Sequence, residues 1–237
     1  MGRAVGFVSS LGGPKASRDS YGRMVVALLR SMVDKLQGLS APFVIMHAGL
    51  TAEEKKRLTD AYEYVEFHKV DLERYRQHGK LNPMYWLLEA YNPKHNLDKA
   101  IVLGADMLCT GSTDRIIYQD LGPIACWREK QRACWNTGCT VIQKSLITDE
   151  IFEALLAYDD KGQFGHDQAC VNGLFAGRIF TLPENVQEFV DESTKPGGCM
   201  WLHFIHKPFA EGGLKKNSPA AIALLKSYMR ELWWECE

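Results

Sequence analysis

The chain has 237 residues, enough to bury a substantial core, and one domain is the simplest count. Its 28 basic and 29 acidic residues leave no net electrostatic bias, and no basic run is interleaved with aromatics, which argues against a nucleic-acid partner. The 7 cysteines are scattered with no CxxC pair, which speaks against a zinc ribbon and for free thiols in a reducing, cytoplasmic setting.

Met1 to Ser10 lacks a charged segment followed by a long apolar one, so it does not read as a signal peptide. Gly6 departs from the myristoylation pattern, and no apolar run reaches the roughly 20 residues that span a bilayer.

"AVGFV" (4–8) reads as a buried strand feeding a polar, glycine-rich loop, "LGGPKASRDS". In "YGRMVVALLRSMVDKL" the apolar residues Tyr21, Met24, Val25, Leu28, Leu29, Met32, Val33 and Leu36 recur at helical spacing. "PFVIMH" (42–47) is a second strand, and "TAEEKKRL" opens a helix with Thr51 and Glu54 in capping-box positions. "YVEFHKV" alternates as a third strand, "LNPMYWLLEAY" is helical, and "KAIVL" (99–103) is a fourth strand. Further along, "PIACWR", "GCTVIQ" and "RIFTLP" read as strands, and "DEIFEALLAY" and "DQACVNGLF" as helices. Residues 191–218 read as a loop, and "PAAIALLKSYMRELWW" as a closing helix.

Strands alternating with helices predict an α/β fold with a mostly parallel central sheet and flanking helices. Ligands of such sheets bind beyond the carboxyl ends of the strands, and that rule puts Ser9, Ser10 and Asp106 on one rim. A carboxylate there can hold a hard cation that neutralises a diphosphate. Taken singly, each candidate has an ordinary role. Asp106 can be a turn residue, and Asp167 an N-terminal helix carboxylate. His203 and His206 can be satisfied histidines among aromatics, and "WNTG" can be a turn entering a strand.

Their order carries more than their chemistry. "FVSSL", "DSY", Lys80-Leu81, "VLGADM", "WNTGCTVIQ", "GHDQACVNGLF" and "LHFIHKPF" follow one another over roughly residues 4 to 210. In this the chain resembles the glycogenin-like, family 8 nucleotide-sugar glycosyltransferases, whose fold is of the GT-A type with a Rossmann-like nucleotide-binding half.

The resemblance implies a single domain over 1–237, with a nucleotide-binding part of about 1–110 and an acceptor and catalytic part of about 111–237. It implies that Val8, Ser9, Ser10, Tyr21, Lys80, Ala105 and Asp106 border the donor nucleotide, with UDP the expected base. Asp106 and His203 would ligate a divalent metal, Mn²⁺ or Mg²⁺. Asn136, Gly138 and Lys207 would meet the donor sugar or phosphate, with Asp167 and Gln168 at the anomeric centre. The implied reaction moves a sugar onto a glycan or small hydroxyl acceptor, with retention.

Two departures stand out. Gly104 occupies the position of the family's first aspartate, and the late motif is short, with His203 and Lys207 four positions apart. Loss of that aspartate motivates a non-catalytic nucleotide-sugar-binding module as an alternative. Gly12, Gly13, Lys15 and Arg18 after the first strand motivate another, a sugar nucleotidylyltransferase.

Overall fold

The computed structural model describes residues 5–35, 40–129, 134–159, 166–204 and 216–229. Its main sheet is built on β1 (Gly6–Leu11), β2 (Phe43–His47), β3 (Val65–Lys69) and β4 (Lys99–Leu103), all parallel. β7 (Cys134–Gln143) adds antiparallel to β4, then β6 (Ile124–Glu129) antiparallel to β7, with the two-residue β8 (Phe180–Thr181) at the edge. The order is β3-β2-β1-β4-β7-β6-β8, the expected mostly parallel sheet.

One face packs on α1 (Lys15–Lys35) and α2 (Ala52–Ala61), through Phe7, Leu11, Ile45, Ile101 and Leu103. The other carries Val8, Val44, Met46, Ala100 and Val102 against residues 83–91, α5 (Asp149–Ala157) and α6 (His166–Leu174). Alternate residues along β1, β2 and β4 thus serve two cores, which is why these strands are mostly apolar instead of alternating. Full burial of each large apolar side chain is worth roughly 1.5–3 kcal/mol.

A smaller sheet joins β5 (Met107–Cys109), β10 (Trp201–His203) and β9 (Gln187–Phe189). α7 (Pro219–Met229) packs behind it against α1, where Ile222 and Leu225 of α7 and Met24 of α1 share a cluster with Leu202 of β10 and Phe204. Short helices α3 (Leu72–Gln77) and α4 (Asp114–Tyr118) complete the set. Lys99, although in a strand, turns its ammonium under α4, where Nζ donates to the carbonyls of Ile117 at 2.7 Å and Gln119 at 3.0 Å.

The capping box at Thr51 and Glu54 is formed, with both reciprocal bonds present. Other expectations are corrected. The loop expected over 11–20 is short, because Gly13 at φ 97° turns the chain and Pro14 leads into α1 at Lys15. Lys15 and Arg18 therefore stand on a helix and not in a phosphate-gripping loop. Residues 83–91 wind as a 3₁₀ helix that starts at Pro83 and buries every side chain from Tyr85 to Tyr91. Within the expected loop over 191–218, residues 201–203 pair as a strand, because Trp201 to His203 find partners on both sides. The expected final helix is described to Met229, and its aromatic end lies outside the described residues.

Candidate active site

β1 and β4 are adjacent and parallel, with Val8 paired to Val102, so Ser10 and Gly104 end at the same level of one rim. Beyond β4 the chain turns through Gly104, Ala105 and Asp106 into β5. β5 pairs with β10 so that Met107 faces His203, and the Phe204 amide donates to the Asp106 carbonyl at 2.9 Å. This pairing carries a residue nearly a hundred positions away onto Asp106. His203 Nε2 lies 3.2 Å from Asp106 Oδ1, with the two side chains 11% and 21% exposed.

The contact depends on two glycines. A Cβ at Gly138 would lie 2.7 Å from His203 Cε1, 2.9 Å from its Nδ1 and 2.8 Å from Asn136 Oδ1. A Cβ at Gly104 would lie 2.8 Å from Asp106 Oδ1. Gly104, in the place of an expected aspartate, thus leaves the space into which the Asp106 carboxylate turns. The Gly138→Ala variant is expected to lose about 1–3 kcal/mol from overpacking, measured by urea unfolding. It is also expected to displace the His203 ring, seen as a shift of its imidazole resonances.

"WNTGCTVIQ" is not a turn before a strand. It lies within β7, where the pairing with β6 slips from Cys126–Thr140 to Trp127–Asn136, so residues 137–139 bulge. The bulge lets the Gly138 amide donate to Asn136 Oδ1 at 2.9 Å and re-aims Asn136 toward the rim.

A continuous polar chain results. Gln187 Nε2 lies 3.1 Å from Asn136 Oδ1 and 3.0 Å from His203 Nδ1, and Asn136 Nδ2 donates to Gln168 Oε1 at 3.4 Å. Gln168 Nε2 in turn donates to Cys134 Sγ at 3.3 Å. Because Gln187 donates, His203 Nδ1 is the acceptor and its Nε2–H faces Asp106. Gln187 Oε1 is buried without a partner. Turning that amide would offer Oε1 to an Nδ1–H and free Nε2 as a ligand, at the expense of the bond to Asn136.

α6 is pinned to β7 by Asn172, whose amide takes the place of a neighbouring strand. Its Oδ1 accepts from the Trp135 amide at 2.9 Å and its Nδ2 donates to the Trp135 carbonyl at 2.8 Å. Asp167, 3% exposed, lies beneath the rim, and its Oδ1 has no partner. Burial pushes its carboxyl up to about 7, partly opposed by the Thr137 hydroxyl and by the amides of Asp167 and Gln168.

The remaining sequence candidates are placed as follows. Val8 and Ser9 are fully buried, Val8 in the core under residues 83–91 and Ser9 with its hydroxyl unpartnered. Neither presents a side chain at the rim, whereas Ser10 is half-buried there. Tyr21 lies on α1, partly buried against the core. Lys80 donates to the Tyr158 carbonyl at 2.7 Å and sits 5.3 Å from the Tyr85 ring, outside the polar chain. Its loop nevertheless reaches the start of α6, where Asn82 Nδ2 lies 3.1 Å from His166 Nε2. Lys207 and His206 lie outside the described residues. Gln187, Thr137 and Asn172 were not foreseen, since a lone amide or hydroxyl carries no spacing signal.

Beside Gln187 opens a cleft of about 400 Å³, walled by Trp127 and Phe189 with Arg128, Glu129, Glu188 and Asp191. A larger one, about 600 Å³, lies at Val5, Pro42 and Val65, at the amino ends of the strands and away from the rim.

No protein-family model and no curated protein matches the chain. Solved structures do. The galactosyltransferase LgtC, solved with donor and acceptor sugar analogues, is 18% identical with a TM-score of 0.71, over 93% of this chain and 95% of that one. The bifunctional glycosyltransferase WbbM is 14% identical with a TM-score of 0.70, over 98% of this chain and 50% of that one. The glycosyltransferase GlyE of Streptococcus pneumoniae is 17% identical with a TM-score of 0.66, over 98% of this chain and 62% of that one. The chain therefore has the GT-A fold of these glycosyltransferases. Among the described residues, no helix is long and apolar enough to cross a membrane.

Proposed function

We propose that the protein is a glycosyltransferase that moves a sugar from a nucleotide-sugar donor, UDP-linked, onto a hydroxyl of a glycan or small acceptor. The observation that carries this reading is the 3.2 Å approach of His203 to Asp106 at the strand-end rim, wired through Gln187 and Asn136 to Gln168. A carboxylate oxygen and an imidazole nitrogen on a polar rim suit Mn²⁺ or Mg²⁺. Bound there, the metal would neutralise charge on the departing diphosphate.

The chain's own groups do the rest. The first part, about 1–110, supplies the rim for the nucleotide through Ser10, Ala105 and Asp106. The second, about 111–237, supplies Asn136 and Gly138 for the donor sugar, and the family resemblance assigns Lys207 to the sugar or phosphate. Gln168, held by Asn136 and Cys134, offers a carboxamide oxygen to the developing positive charge at the anomeric carbon, in keeping with retention. Asp167 backs it from below. Trp127 and Phe189, packed edge to face, line the adjoining cleft with Glu129 and Asp191, an aromatic and acidic lining that suits a sugar. The six described cysteines are buried thiols, in keeping with a reducing compartment such as the cytoplasm.

Calorimetric titration of UDP, with and without Mn²⁺, tests the donor site, and release of free sugar from a panel of UDP-sugars tests turnover. Metal-dependent UDP binding with slow sugar release is expected. Binding without any sugar release would favour a non-catalytic module, and no UDP binding in either condition would overturn the reading.

A further inference from the structure

A second group of ligating side chains lies across the sheet from Asp106. His68 on the edge strand β3, Glu89 in the 3₁₀ segment 83–91 and His95 in the short turn 93–95 bring one ligand atom each within 4.8 Å of one another. β2 and β1 separate β3 from β4, so His68 is three strand spacings, on the order of 14 Å, across the sheet from the end of β4 that leads to Asp106.

Glu89 is 1% exposed at its side chain and His95 7%. His95 Nε2 lies 3.6 Å and His68 Nε2 4.0 Å from Glu89 Oε2, and the two rings meet edge to face with centroids 4.7 Å apart. Both Nε2 atoms are buried with no hydrogen-bond partner. Two orphaned nitrogens aimed at one buried carboxylate are destabilising unless something satisfies them.

The other groups around Glu89 fit a second layer about an ion. Tyr75 Oη donates to Oε1 at 3.4 Å, and Asn92 Nδ2 donates to Oε2 at 3.0 Å, which orients the carboxylate. Lys94 Nζ sits 2.8 Å from Oε2 on a side chain 39% exposed, a cation in the place an ion would take and free to swing into water.

We propose that His68, Glu89 and His95 form a binding site for a transition-metal ion of the zinc type, which replaces Lys94 and ties the edge strand to the 83–95 segment. Two imidazoles and one carboxylate are a zinc donor set that leaves a fourth position for water. The proposal does not depend on the reading of the rim.

The test titrates Zn²⁺ into the full chain carrying Asp106→Ala, so that the rim pair cannot compete. One site is expected, with two imidazoles at roughly 2.0 Å in the zinc absorption spectrum. His68→Ala and His95→Ala should each weaken it by more than about 100-fold, beyond what loss of an orienting neighbour does. Lys94→Met should strengthen it, and zinc should raise the melting temperature of the parent but not of the histidine variants. His68 is on the edge strand and half-buried, so its variant keeps the test open if the Glu89 and His95 variants fail to fold. Equal zinc affinity in parent and histidine variants, or a spectrum without imidazole, would overturn the proposal and leave a Lys94–Glu89 ion pair flanked by two neutral histidines.

Discussion

Asp167→Asn is expected to stabilise the protein at pH 8 and to leave its stability near pH 4 almost unchanged. The carboxyl is buried and titrates at about 7 in the fold, against 3.8 when exposed. Below about 4 it is protonated in both states and contributes no pH dependence. Between 3.8 and about 7 the unfolded chain gives up the proton and the folded chain keeps it, so stability falls as pH rises. Above about 7 the loss is complete, and at 1.36 kcal/mol per pH unit the span amounts to roughly 4 kcal/mol.

Asparagine keeps the shape and cannot ionise, which removes the penalty. Urea unfolding of both proteins at pH 4 and pH 8 measures the difference directly. A variant no more stable than the parent at pH 8 would show that Asp167 carries no such penalty. Transfer is expected to fall in the same variant, because the proposed role places the carboxylate behind Gln168. A destabilising group kept under a reaction centre is a common exchange of stability for activity.

Removal of the rim carboxylate should have the largest effect on turnover. Asp106→Ala is expected to abolish the Mn²⁺-dependent gain in UDP affinity while metal-free UDP binding changes little, and to slow transfer by about 10³-fold or more. Gly104 gives the reason for expecting so large an effect, since no second carboxylate stands two positions earlier to take over. The carboxylate turned into the space at Gly104 is thus the acidic ligand on which the proposed site rests. His203→Ala should reproduce the loss of metal dependence. Gln187→Leu should weaken it less, since Gln187 acts through the imidazole tautomer. Manganese-dependent UDP binding that survives Asp106→Ala intact would move the metal away from this rim.

Much of the fold was legible along the chain. Doubly buried strands such as "PFVIMH" and "KAIVL" are apolar throughout because both faces are covered, and the Thr51 and Glu54 cap is a local bond that needs only its own four residues. The 3₁₀ winding of 83–91 and the strand at 201–203 were not legible. The first depends on how a wholly apolar segment fits under the sheet, and the second on edge partners supplied by β5 and β9.

The site divides along the same line. The α/β layout, the rim position of Asp106 and the set of polar residues available to it can be read along the chain, because strand periodicity and strand-end placement are local properties. Which of them meet depends on register and packing. His203 reaches Asp106 through an antiparallel pairing, Asn136 turns inward at a bulge, and Val8 and Ser9 are lost to the core. Gln187 joins them, and His68, Glu89 and His95 converge elsewhere, because sheet register and packing bring together residues that no spacing along the chain connects.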